Sequence, residues 1–331
     1  CSVNISMKTK INVTQLCLDD PERLRHWEED RKFPLYYFEN RFQWFNYPRW
    51  HYVSPFPLHV DFEVSSRCNL SCPMCFRRHF NNSQEFTDMD FQLFAKGVDE
   101  CASNNLYSIR LSWRGESTSH PQLLEMIKYA KKSGIKEVSF LSNGSFLSPD
   151  FNMKLIESGL DCITISVDAL RENYNKLRAP LDFDQIVKEI SNLYKLKEKH
   201  GNGFPKIKVQ GIYEYINNDR EEYLTTFKNI TDNISVNVKH DYELMNVEQE
   251  DNLFCPYLWQ RITITASGLI PLCISDWDLD VPLGNLRECT IKEVWSGKQM
   301  NSYRNLHLDN KRLELKPCRK CIRTQTAIIQ K

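Results

Sequence analysis

Three cysteines, Cys68, Cys72 and Cys75, fall within one short segment that directly follows a run of alternating apolar and polar residues at 57–65. Three thiolates cannot complete a four-ligand iron or zinc site, but they can hold three corners of a four-iron cluster and leave one iron open. An open metal position is a place for chemistry. Zinc is the alternative for any short cysteine cluster, although a fourth ligand is missing locally. The segment is therefore the candidate reaction centre.

From residue 58 onward, segments of strand character alternate with segments of helix character. The helices show apolar residues on one face, and Gly134 and Gly159 follow two of their ends. The predicted strands are 59–64, 107–113, 137–141, 162–167, 206–213 and 234–239, and the predicted helices are 91–101, 121–132, 150–158, 183–199 and 219–229. Six such units with short loops predict an α/β fold with a parallel sheet and helices outside it.

The cysteine spacing, with Asn69-Leu70 after the first cysteine and Met74 before the last, resembles that of the radical S-adenosylmethionine (SAM) superfamily. The resemblance implies that Cys68, Cys72 and Cys75 ligate a [4Fe-4S] cluster whose open iron chelates the amino and carboxylate groups of SAM. An electron from that cluster would cleave SAM to a 5′-deoxyadenosyl radical. The resemblance also implies a partial (βα)6 TIM-like barrel, with the cysteine loop at the C-terminal ends of the strands, where barrel chemistry lies.

A turn after the second predicted strand resembles the family's Gly-Gly-Glu-Pro motif, which binds the SAM amino group. The chain keeps Gly115 and Glu116, but it has Arg114 in place of the first glycine and Ser117 in place of the proline. The resemblance implies that Gly115 and Glu116 bind the cofactor. On the residues alone, a Gly-Glu pair is also an ordinary surface turn.

Three more SAM contacts follow from the resemblance. Asn143 belongs to the family's usual turn after the third strand, although an Asn-Gly pair is also common in ordinary turns. Ser166 matches the fourth-strand hydroxyl that contacts the SAM ribose, and it shares a strand face with Thr164 and Asp168 because side chains alternate along a strand. Arg178 lies at the offset of an arginine that meets the SAM carboxylate in related enzymes.

Polar residues also occupy the faces of other predicted strands. Asp61 and Glu63 share a face of strand one, and Arg110 lies on strand two. Buried carboxylates need partners, so a structural Glu63–Arg110 pair is one interpretation. A substrate contact or a proton acceptor is the other. Further pocket candidates on strands five and six are Gln210, Tyr213, Lys239 and His240.

The C-terminal part carries a second set of cysteines: Cys255, Cys273, Cys318 and Cys321. Residues 261–265 and 269–274 flank Gly268 and predict a hairpin. The order of these cysteines with Gly268, Gly-Asn-Leu at 284–286 and Trp295 resembles the SPASM/twitch extension of radical SAM enzymes. The resemblance implies one auxiliary [4Fe-4S] cluster, which would carry an electron or hold the fold. Four thiolates also suit structural zinc.

The first 56 residues read as an aromatic-rich extension. Residues 20–30 predict a short solvated helix, and prolines break up the aromatic stretch that follows, which predicts an extended segment. Its aromatic side chains pack on the next domain or, alternatively, form a lid or platform for substrate. We therefore expect an extension at 1–56, a barrel at 57–245 and a small β-hairpin/helix iron–sulfur domain at 246–331.

The composition argues against several other classes of protein. The 43 basic residues balance the 43 acidic residues, so no net field favours nucleic acid. No apolar run approaches the length of a membrane span, and there is no signal-peptide pattern. The chain begins with Cys1 and not with Met, which indicates trimming. A mature lipoprotein also begins with cysteine, but an open iron–sulfur cluster favours a reducing cytoplasm.

Five cysteines lie outside both sets: Cys1, Cys17, Cys101, Cys162 and Cys289. A radical epimerase needs a hydrogen-atom donor, often a thiol. Cys162 lies on the face of Ser166 but about 13 Å deeper, at ~3.3 Å per strand residue. Buried structural cysteine is the default for the others. The absence of an evident donor favours net oxidation or rearrangement over epimerisation.

These observations predict an oxidoreductase-type radical SAM enzyme that abstracts a hydrogen atom from a substrate carbon. We favour a small polar substrate, such as a sugar or an aminocyclitol, oxidised with the auxiliary cluster taking the second electron. The first alternative is a peptide- or protein-modifying maturase, since the aromatic extension could grip a chain. The second is a SAM-inactive iron–sulfur electron-transfer or binding protein, which the altered turn at 114–117 would suit. An electron donor such as flavodoxin or ferredoxin is the implied partner.

Overall fold

A computed structural model describes residues 15–79, 86–239 and 254–321. The described strands are β1 (Gln15–Cys17), β2 (His59–Phe62), β3 (Ser108–Arg110), β4 (Glu137–Ser142), β5 (Cys162–Ser166), β6 (Lys206–Ile212), β7 (Asn233–Asn237), β8 (Arg261–Ile264), β9 (Leu269–Pro271) and β10 (Pro282–Asn285). The described helices are α1 (Pro21–Glu29), α2 (Pro34–Arg49), α3 (Phe91–Ser103), α4 (Leu123–Lys132), α5 (Pro149–Glu157), α6 (Arg171–Leu177), α7 (Phe183–His200), α8 (Tyr213–Ile216), α9 (Arg220–Phe227), α10 (Ile291–Ser296), α11 (Lys298–Leu308) and α12 (Lys316–Arg319).

The large sheet has eight strands in the order β1-β7-β6-β5-β4-β3-β2-β8. Strands β2 to β7 run parallel to one another, and each successive strand is added beside the one before it, whereas β1 pairs with β7 in the antiparallel sense. Helices follow the strands and pack on one side, as expected when parallel strands are joined by helical crossovers. The predicted partial (βα)6 barrel is therefore confirmed.

Side chains alternate across this sheet as the sequence predicts. In β2, Val60 and Phe62 point outward into the helix layer, whereas Asp61 lies on the lumen side. Helix α7 buries the predicted apolar face, which includes Ile186 and Ile190. A single hydrophobic core includes residues of the barrel and of the C-terminal segment. This alternation leaves a polar lumen inside an apolar shell.

The N-terminal extension differs from the prediction. Helix α1 confirms the expected short helix, but the aromatic stretch is the helix α2 and not an extended segment. Pro34 occupies the first turn of α2, where proline is tolerated. Pro48 lies near the helix end, and the carbonyl of Trp44 that its missing N–H would have bonded accepts instead from Gln260 at 2.8 Å. A distant side chain thus stabilises a helix that local rules exclude.

The extension covers the N-terminal ends of the barrel strands. Arg31 pairs with Glu137, the first residue of β4, at 3.1 Å. Lys32 pairs with Asp161, which precedes β5, at 2.9 Å. The cysteine loop follows the opposite, C-terminal end of β2. For the described residues of the extension, the alternative of a lid or platform over the reaction centre is therefore wrong. Tyr37 and Phe56 are buried as expected, but most of the other aromatic side chains of the extension are exposed and do not pack on the barrel.

The strand pairing of the C-terminal segment also differs from the prediction. Strand β8 does not pair with the next strand in a hairpin, but joins the large sheet in parallel beside β2, with Val60 opposite Ile262. Strand β9 pairs instead with β10, antiparallel. The C-terminal segment thus completes one edge of the barrel sheet through β8. Its expected boundaries, and those of the other two regions, stay predictions.

No helix within the described ranges is long and apolar enough to cross a membrane.

Candidate active site

The three-cysteine loop lies at the C-terminal rim of the half-barrel, directly after β2. Cys68, Cys72 and Cys75 are all half-buried. The loop turns between the last two, since the backbone N–H of Cys75 donates to the carbonyl of Cys72 at 3.1 Å. The loop is thus held locally while its thiols keep partial access to solvent.

The start of this loop packs against the turn that follows β3. A Cβ atom on Gly115 would lie 2.2 Å from the carbonyl oxygen of Ser65 and 2.5 Å from that of Arg67. The N–H of the next residue, Glu116, donates to the Arg67 carbonyl at 2.7 Å. Only glycine permits this backbone approach, so the kept glycine of the motif positions the cysteine loop.

Arg77 holds the loop from its other end. Its guanidinium donates to the carbonyl of Ser66 and, at 3.2 Å, to that of Arg114. It also lies 4.5 Å from the ring centroid of Phe86. The loop is therefore tied to the same turn on both sides of the cysteines.

Glu116 is almost completely buried, and both oxygens of its carboxylate are engaged. Oε1 accepts from the N–H and hydroxyl of Thr118 and, at 2.8 Å, from the hydroxyl of Ser142. Oε2 accepts from the N–H of Asn143 at 2.7 Å. The carboxylate thus joins the turns after β3 and β4, a role that the sequence did not predict. Its contact with the SAM amino group stays a prediction.

Asn143 connects the turn after β4 to the cysteine loop. Its Nδ2 donates to Oδ1 of Asn69 at 2.9 Å, and Asn69 in turn donates to the hydroxyl of Ser145 at 2.9 Å. Gly144, which lies between Asn143 and Ser145 in the chain, has a φ of +80°, which glycine adopts readily. The Asn-Gly turn is therefore part of the rim, and any contact of Asn143 with SAM stays a prediction.

Arg178 lies near Cys72 of the loop, and Ser166 lies at the C-terminal end of β5. Arg178 forms an ion pair with the buried Asp168, with Nε at 2.6 Å from Oδ2. Burial alone would lower the pKa of Arg178, but Asp168 and Cys72 raise it above its usual value. Ser166 ends β5 two residues before Asp168. Both residues therefore lie towards the C-terminal ends of the strands, and their SAM contacts stay predictions.

The pKa values of the loop thiols bear on what the loop can hold. Burial raises the pKa of Cys72 to about 11, against the opposing charge of Arg178, and neighbouring Cys75 and Cys68 add to the rise. Burial also raises the pKa of Cys75. These groups remain protonated near neutral pH until a metal displaces the protons. A cationic iron–sulfur core relieves the repulsion between three thiolates, so the donor set fits it.

The four C-terminal cysteines also converge. Burial raises the pKa of Cys273 well above its usual value, and Cys318, Cys255 and Cys321 raise it further. The sulfur of Cys318 lies 3.5 Å from Nε2 of His307. Segments before β8, after β9 and around α12 therefore contribute to one thiol cluster, as the cysteine order predicts.

Across the described parts of the chain, no three His, Cys, Asp or Glu side chains come close enough together to enclose a single metal ion. The thiols of each set instead lie within electrostatic range of one another. A four-iron cluster binds each thiolate at a different iron, so its thiolates lie farther apart than the ligands of one ion. Both donor sets therefore fit iron–sulfur clusters.

The described cysteines that belong to neither ligand set lie in helices or strands, or bond to the backbone. Cys101 is fully buried on α3. Cys162 starts β5, at the opposite end of the strand from Ser166, as expected. Cys289 donates to the carbonyl of Asn285 at 3.1 Å. Cys17 belongs to β1, in register with Ser235 of β7.

The lumen contains an ion network whose pairing was predicted wrongly. Arg110 and Arg261 contact the buried carboxylate of Asp61 at 2.8 and 2.9 Å, and Nε2 of His59 lies 3.3 Å from it. The expected Glu63–Arg110 pair is wrong because the parallel register places Arg110 beside Asp61. Arg261 was missed because its strand was not expected in this sheet.

The charges in this network follow from burial and pairing. Burial raises the pKa of Asp61, but Arg110 and Arg261 lower it more, so the pKa lies well below its usual value. Burial lowers the pKa of His59 to about 4, against the effect of Asp61. Near neutral pH, Asp61 is charged and His59 is neutral. The four side chains together carry one positive charge.

Glu63 pairs with Arg114, the residue that replaces the first glycine of the family motif. Nε and a terminal nitrogen of Arg114 each lie 2.7 Å from a carboxylate oxygen of Glu63, in a buried two-pronged contact. Glu63 also accepts from the N–H of Ala266 at 3.1 Å, and Arg114 donates to the carbonyl of Trp277 at 3.3 Å. The replacement of the first glycine of the motif by Arg114 was the feature of the sequence that pointed to this ion pair.

Two further contacts join the rim to the residues that follow Cys273. The indole N–H of Trp113 donates to the carbonyl of Ile274 at 2.8 Å. The ring of Phe76 stacks on Trp277, with centroids 4.7 Å apart and an interplanar angle of 25°. The segment that carries an auxiliary ligand is therefore packed directly on the cysteine loop.

The remaining pocket candidates have mixed outcomes. Gln210 lies in β6, in register with Ser166 of β5. Tyr213 begins helix α8 and is not in a strand. The N–H of Lys239 donates to Glu214 at 2.6 Å. His240 lies outside the described residues.

Two family models match the chain. The Radical SAM superfamily model matches residues 62–205, and the SPASM model, described as an iron–sulfur cluster-binding domain, matches residues 255–322. Together they match more than half of the chain and include all seven predicted cysteine ligands.

Curated relatives align with part of the chain. The chain is 33% identical over 152 residues to the tungsten-containing aldehyde ferredoxin oxidoreductase cofactor-modifying protein of Pyrococcus furiosus, covering 45% of this chain and 42% of that protein. It is 28% identical over 179 residues to a probable GTP 3′,8-cyclase of Saccharolobus islandicus, covering 54% of each. The chain thus spans about half the length of these relatives or less.

Solved structures share the fold at low sequence identity. BtrN in complex with AdoMet and 2-DOIA has a TM-score of 0.54 at 16% identity, covering 79% of this chain and 91% of BtrN. SuiB of Streptococcus suis bound to the precursor peptide SuiA has a TM-score of 0.57 at 14% identity, covering 81% and 71%. The two family models, and not this likeness of fold, show that the chain belongs to the radical SAM superfamily and carries a C-terminal SPASM domain, with SAM, a SAM-binding [4Fe-4S] cluster and an auxiliary [4Fe-4S] cluster as its cofactors.

Proposed function

We propose that this protein is a radical SAM oxidoreductase that removes a hydrogen atom from a carbon of a small polar molecule, such as a sugar or an aminocyclitol. The observation that carries the proposal is the three-cysteine loop at the rim of a polar half-barrel, packed directly on the segment that follows Cys273. We further propose the division into 1–56, 57–245 and 246–331, and an electron donor such as flavodoxin or ferredoxin in a reducing cytoplasm.

The ligand sets proposed for the two clusters are Cys68, Cys72 and Cys75 at the rim, and Cys255, Cys273, Cys318 and Cys321 in the C-terminal segment. When bound, the rim cluster and SAM supply a 5′-deoxyadenosyl radical for hydrogen abstraction, and the auxiliary cluster supplies an acceptor for a second electron. Gly115 and Glu116 set the turn that would face the SAM amino group, and Asn143 holds the loop through Asn69. Ser166 and Arg178 would contact the ribose and the carboxylate.

The lumen supports the choice of a small polar substrate. Arg110, Asp61 and Arg261 form a charged floor within the barrel, and Gln210 and Ser166 lie higher on neighbouring strands. Guanidinium, amide and hydroxyl groups of this kind can form hydrogen bonds with a polar molecule. The similarity to BtrN is one of fold, and the 2-DOIA in its structure makes small hydroxylated compounds the first substrates to test.

A peptide substrate is the second candidate. SuiB, whose structure contains a precursor peptide, shares the fold. In this chain, however, the described part of the aromatic extension lies at the other end of the barrel and cannot grip a chain at the rim. A SAM-inactive role has less support now, because Arg114 has a structural partner in Glu63 and does not disrupt the turn.

The test is anaerobic reconstitution with iron, sulfide, dithionite and SAM, followed by assay of 5′-deoxyadenosine. We expect its formation by the wild-type chain and its loss in Cys72→Ala. Candidate sugars, aminocyclitols and peptides labelled with deuterium then identify the substrate by transfer of deuterium into 5′-deoxyadenosine. A fully loaded chain that forms no 5′-deoxyadenosine would refute the enzymatic proposal, and transfer from peptides alone would refute the choice of substrate.

A further inference from the structure

The lumen face of the half-barrel is open to solvent, although the other face of the same strands is sealed. In β4, β5 and β6, the side chains that point outward are completely buried, as Phe140, Ile163 and Val209 show. The lumen-facing side chains above the first layer alternate with them and are all partly exposed. They are Ser139, Leu141, Thr164, Ser166, Lys208 and Gln210. A small molecule can therefore reach the inside of the lumen.

Arg110 presents an unused pair of hydrogen-bond donors to this space. Its Nε lies 2.8 Å from the buried carboxylate of Asp61, which holds the inner end of the guanidinium in place. Within the described ranges its two terminal nitrogens donate to no acceptor, and 23% of the side chain is exposed. Because β3 lies between β2 and β4, this exposure is on the lumen side. The two parallel N–H groups of a fixed guanidinium match two oxygens of a carboxylate or a phosphate.

Helix α2 adds another arginine beneath the charged floor. The guanidinium carbon of Arg41 lies 4.8 Å from the ring centroid of Trp44, and that of Arg261 lies 5.3 Å from the same centroid. The Trp44 ring is in turn 6.2 Å from the ring of His59. Arg41 donates to Oδ1 of Asn40 but forms no ion pair in the part of the chain that the structure describes. Burial lowers the pKa of Arg41, so neighbouring groups compensate its charge only in part.

Lys208 of β6 faces the same space from a different side. It lies on the lumen face of the sheet, in register with Thr164 of β5. Two strands separate β6 from β3, so the two strands lie about 14 Å apart along a flat sheet and closer across a curved one. Burial lowers the pKa of Lys208, and Cys162, Cys17 and Asp19 offset this effect only in part. One small molecule can therefore contact both Lys208 and Arg110.

The lumen consequently carries an excess of positive charge. Among the described residues, one carboxylate, Asp61, stands against four cations, which are Arg41, Arg110, Arg261 and Lys208. The other carboxylates on the lumen face of the sheet are already paired, Glu137 with Arg31 at 3.1 Å and Glu63 with Arg114 at 2.7 Å. A cleft lined by one sign of charge concentrates ligands of the opposite sign and repels ligands of the same sign.

We propose that the lumen binds an oxyanion of the substrate, a carboxylate or a phosphate, with Arg110 as the direct contact and with Lys208 and Arg41 supplying further positive charge. The inference rests on the proposed function and narrows its small polar substrate to an anionic one, such as a sugar acid or a sugar phosphate. Arg110 precedes Arg114 of the rim turn by four residues, which span at most about 14 Å. A small molecule held at Arg110 thus extends towards the cysteine loop, and its anchored end determines which carbon faces the rim.

The test is calorimetric titration of the full-length, cluster-loaded chain under anaerobic conditions, with SAM but without a reductant, so that no turnover occurs. The probes are glucose 6-phosphate, glucuronate, glucose and glucosamine, which differ in charge on one sugar skeleton. We expect at least one of the two anions to bind about tenfold or more tightly than glucose, because hydrogen bonds to charged groups are the stronger ones. Glucosamine should bind more weakly than glucose. The tighter of the two anions distinguishes a phosphate site from a carboxylate site.

Variants of the lumen cations test the contact itself. Arg110→Lys keeps a cation beside Asp61 but loses the pair of parallel donors, so it should weaken anion binding about tenfold and leave glucose binding unchanged. Lys208→Gln leaves the Asp61 ion pairs in place and should weaken anion binding severalfold. Arg25→Gln, which removes an exposed arginine from α1, is the matched control and should bind the anion as the wild type does. Unchanged iron content and circular dichroism show that each variant is folded.

Three results would overturn the proposal: neither anion binds more tightly than glucose, glucosamine binds most tightly, or Arg110→Lys binds the anion as tightly as the wild type. These results do not depend on the formation of 5′-deoxyadenosine, which is measured separately. A chain that prefers the anion but forms no 5′-deoxyadenosine refutes the enzymatic proposal alone. Deuterium transfer from a neutral sugar, by a chain with no preference for the anion, refutes this inference alone.

Discussion

Gly115 is the residue at which the rim tolerates least change. The nearest backbone atoms leave no space for a methyl group, because the carbonyl oxygen of Ser65 lies 2.2 Å from the position of a Cβ. Backbone cannot move aside as a flexible side chain can. The start of the cysteine loop must therefore shift if this glycine is replaced.

We expect Gly115→Ala to lose the rim cluster and to keep the C-terminal cluster, which leaves about four of about eight irons per chain. The unfolding free energy should fall by about 1–3 kcal/mol. Iron analysis and electron paramagnetic resonance after reconstitution measure the first effect. Gly134→Ala is the control, because nothing lies within 4 Å of its Cβ position, although its φ of +102° is strained for alanine. Full iron content in Gly115→Ala would contradict the expectation.

Among single residues, the sequence predicts the cysteine ligands from their spacing, but it does not predict the partners of the buried charges. The spacing of Cys68, Cys72 and Cys75 is local, so it can be recognised in the sequence without knowledge of the fold. The partner of Glu63 depends on the register of neighbouring strands. A shift of one residue in that register turns every side chain of a strand to the opposite face of the sheet. Glu63 therefore required the structure, which pairs it with Arg114.

Among secondary-structure elements, the link between β2, the turn after β3 and the C-terminal segment is the most consequential. Glu63 and Arg114 form it, and Ala266 and Trp277 complete it. Breaking one side of a buried ion pair leaves the other charge uncompensated. The link therefore stabilises the contact between the two cysteine-bearing segments.

We expect Arg114→Met to lower the unfolding free energy by about 3–5 kcal/mol, because it leaves the Glu63 carboxylate buried and unpaired. The double variant Glu63→Met/Arg114→Met should cost less than the sum of the two single changes. Chemical denaturation of the loaded chain measures both. Arg171→Met, which breaks the exposed pair with Glu222, is the control and should cost less than about 1 kcal/mol. Additive effects at Glu63 and Arg114 would show that they do not act as a pair.

Helix α2 shows why element assignment failed in one place. Its prolines and aromatic residues favour an extended segment by local rules. The helix persists because Pro34 lies in its first turn, where proline is tolerated. In addition, the side chain of Gln260 donates to the Trp44 carbonyl in place of the N–H that Pro48 lacks. A contact between residues 216 positions apart decides the local conformation, and no window of sequence contains it.

For the molecule as a whole, the two cysteine sets should be separable by substitution. Cys273 belongs to the C-terminal set, and its segment packs on the rim through Ile274 and Trp277 without donating to the loop cysteines. We expect the wild-type chain to bind about eight irons, and Cys273→Ala to bind about four. Iron and sulfide analysis measures this, with Cys101→Ala as a control that alters a buried cysteine on α3. Four irons and one zinc in the wild type would contradict the assignment of the C-terminal set.

The sequence by itself determined the alternation of strands and helices in six units and the spacing of the three-cysteine loop. These follow from period-two and period-3.6 patterns and from local spacing, which act within a few residues. The barrel and the grouping of the four C-terminal cysteines were implied by the resemblance to the radical SAM superfamily. Only the tertiary structure decided that β8 completes the barrel sheet, that α2 covers the strand ends opposite the loop, and that Arg114 joins the rim to the auxiliary segment. These are contacts between distant parts of the chain. Their free energy depends on strand register and burial, and neither quantity is present in a single segment of sequence.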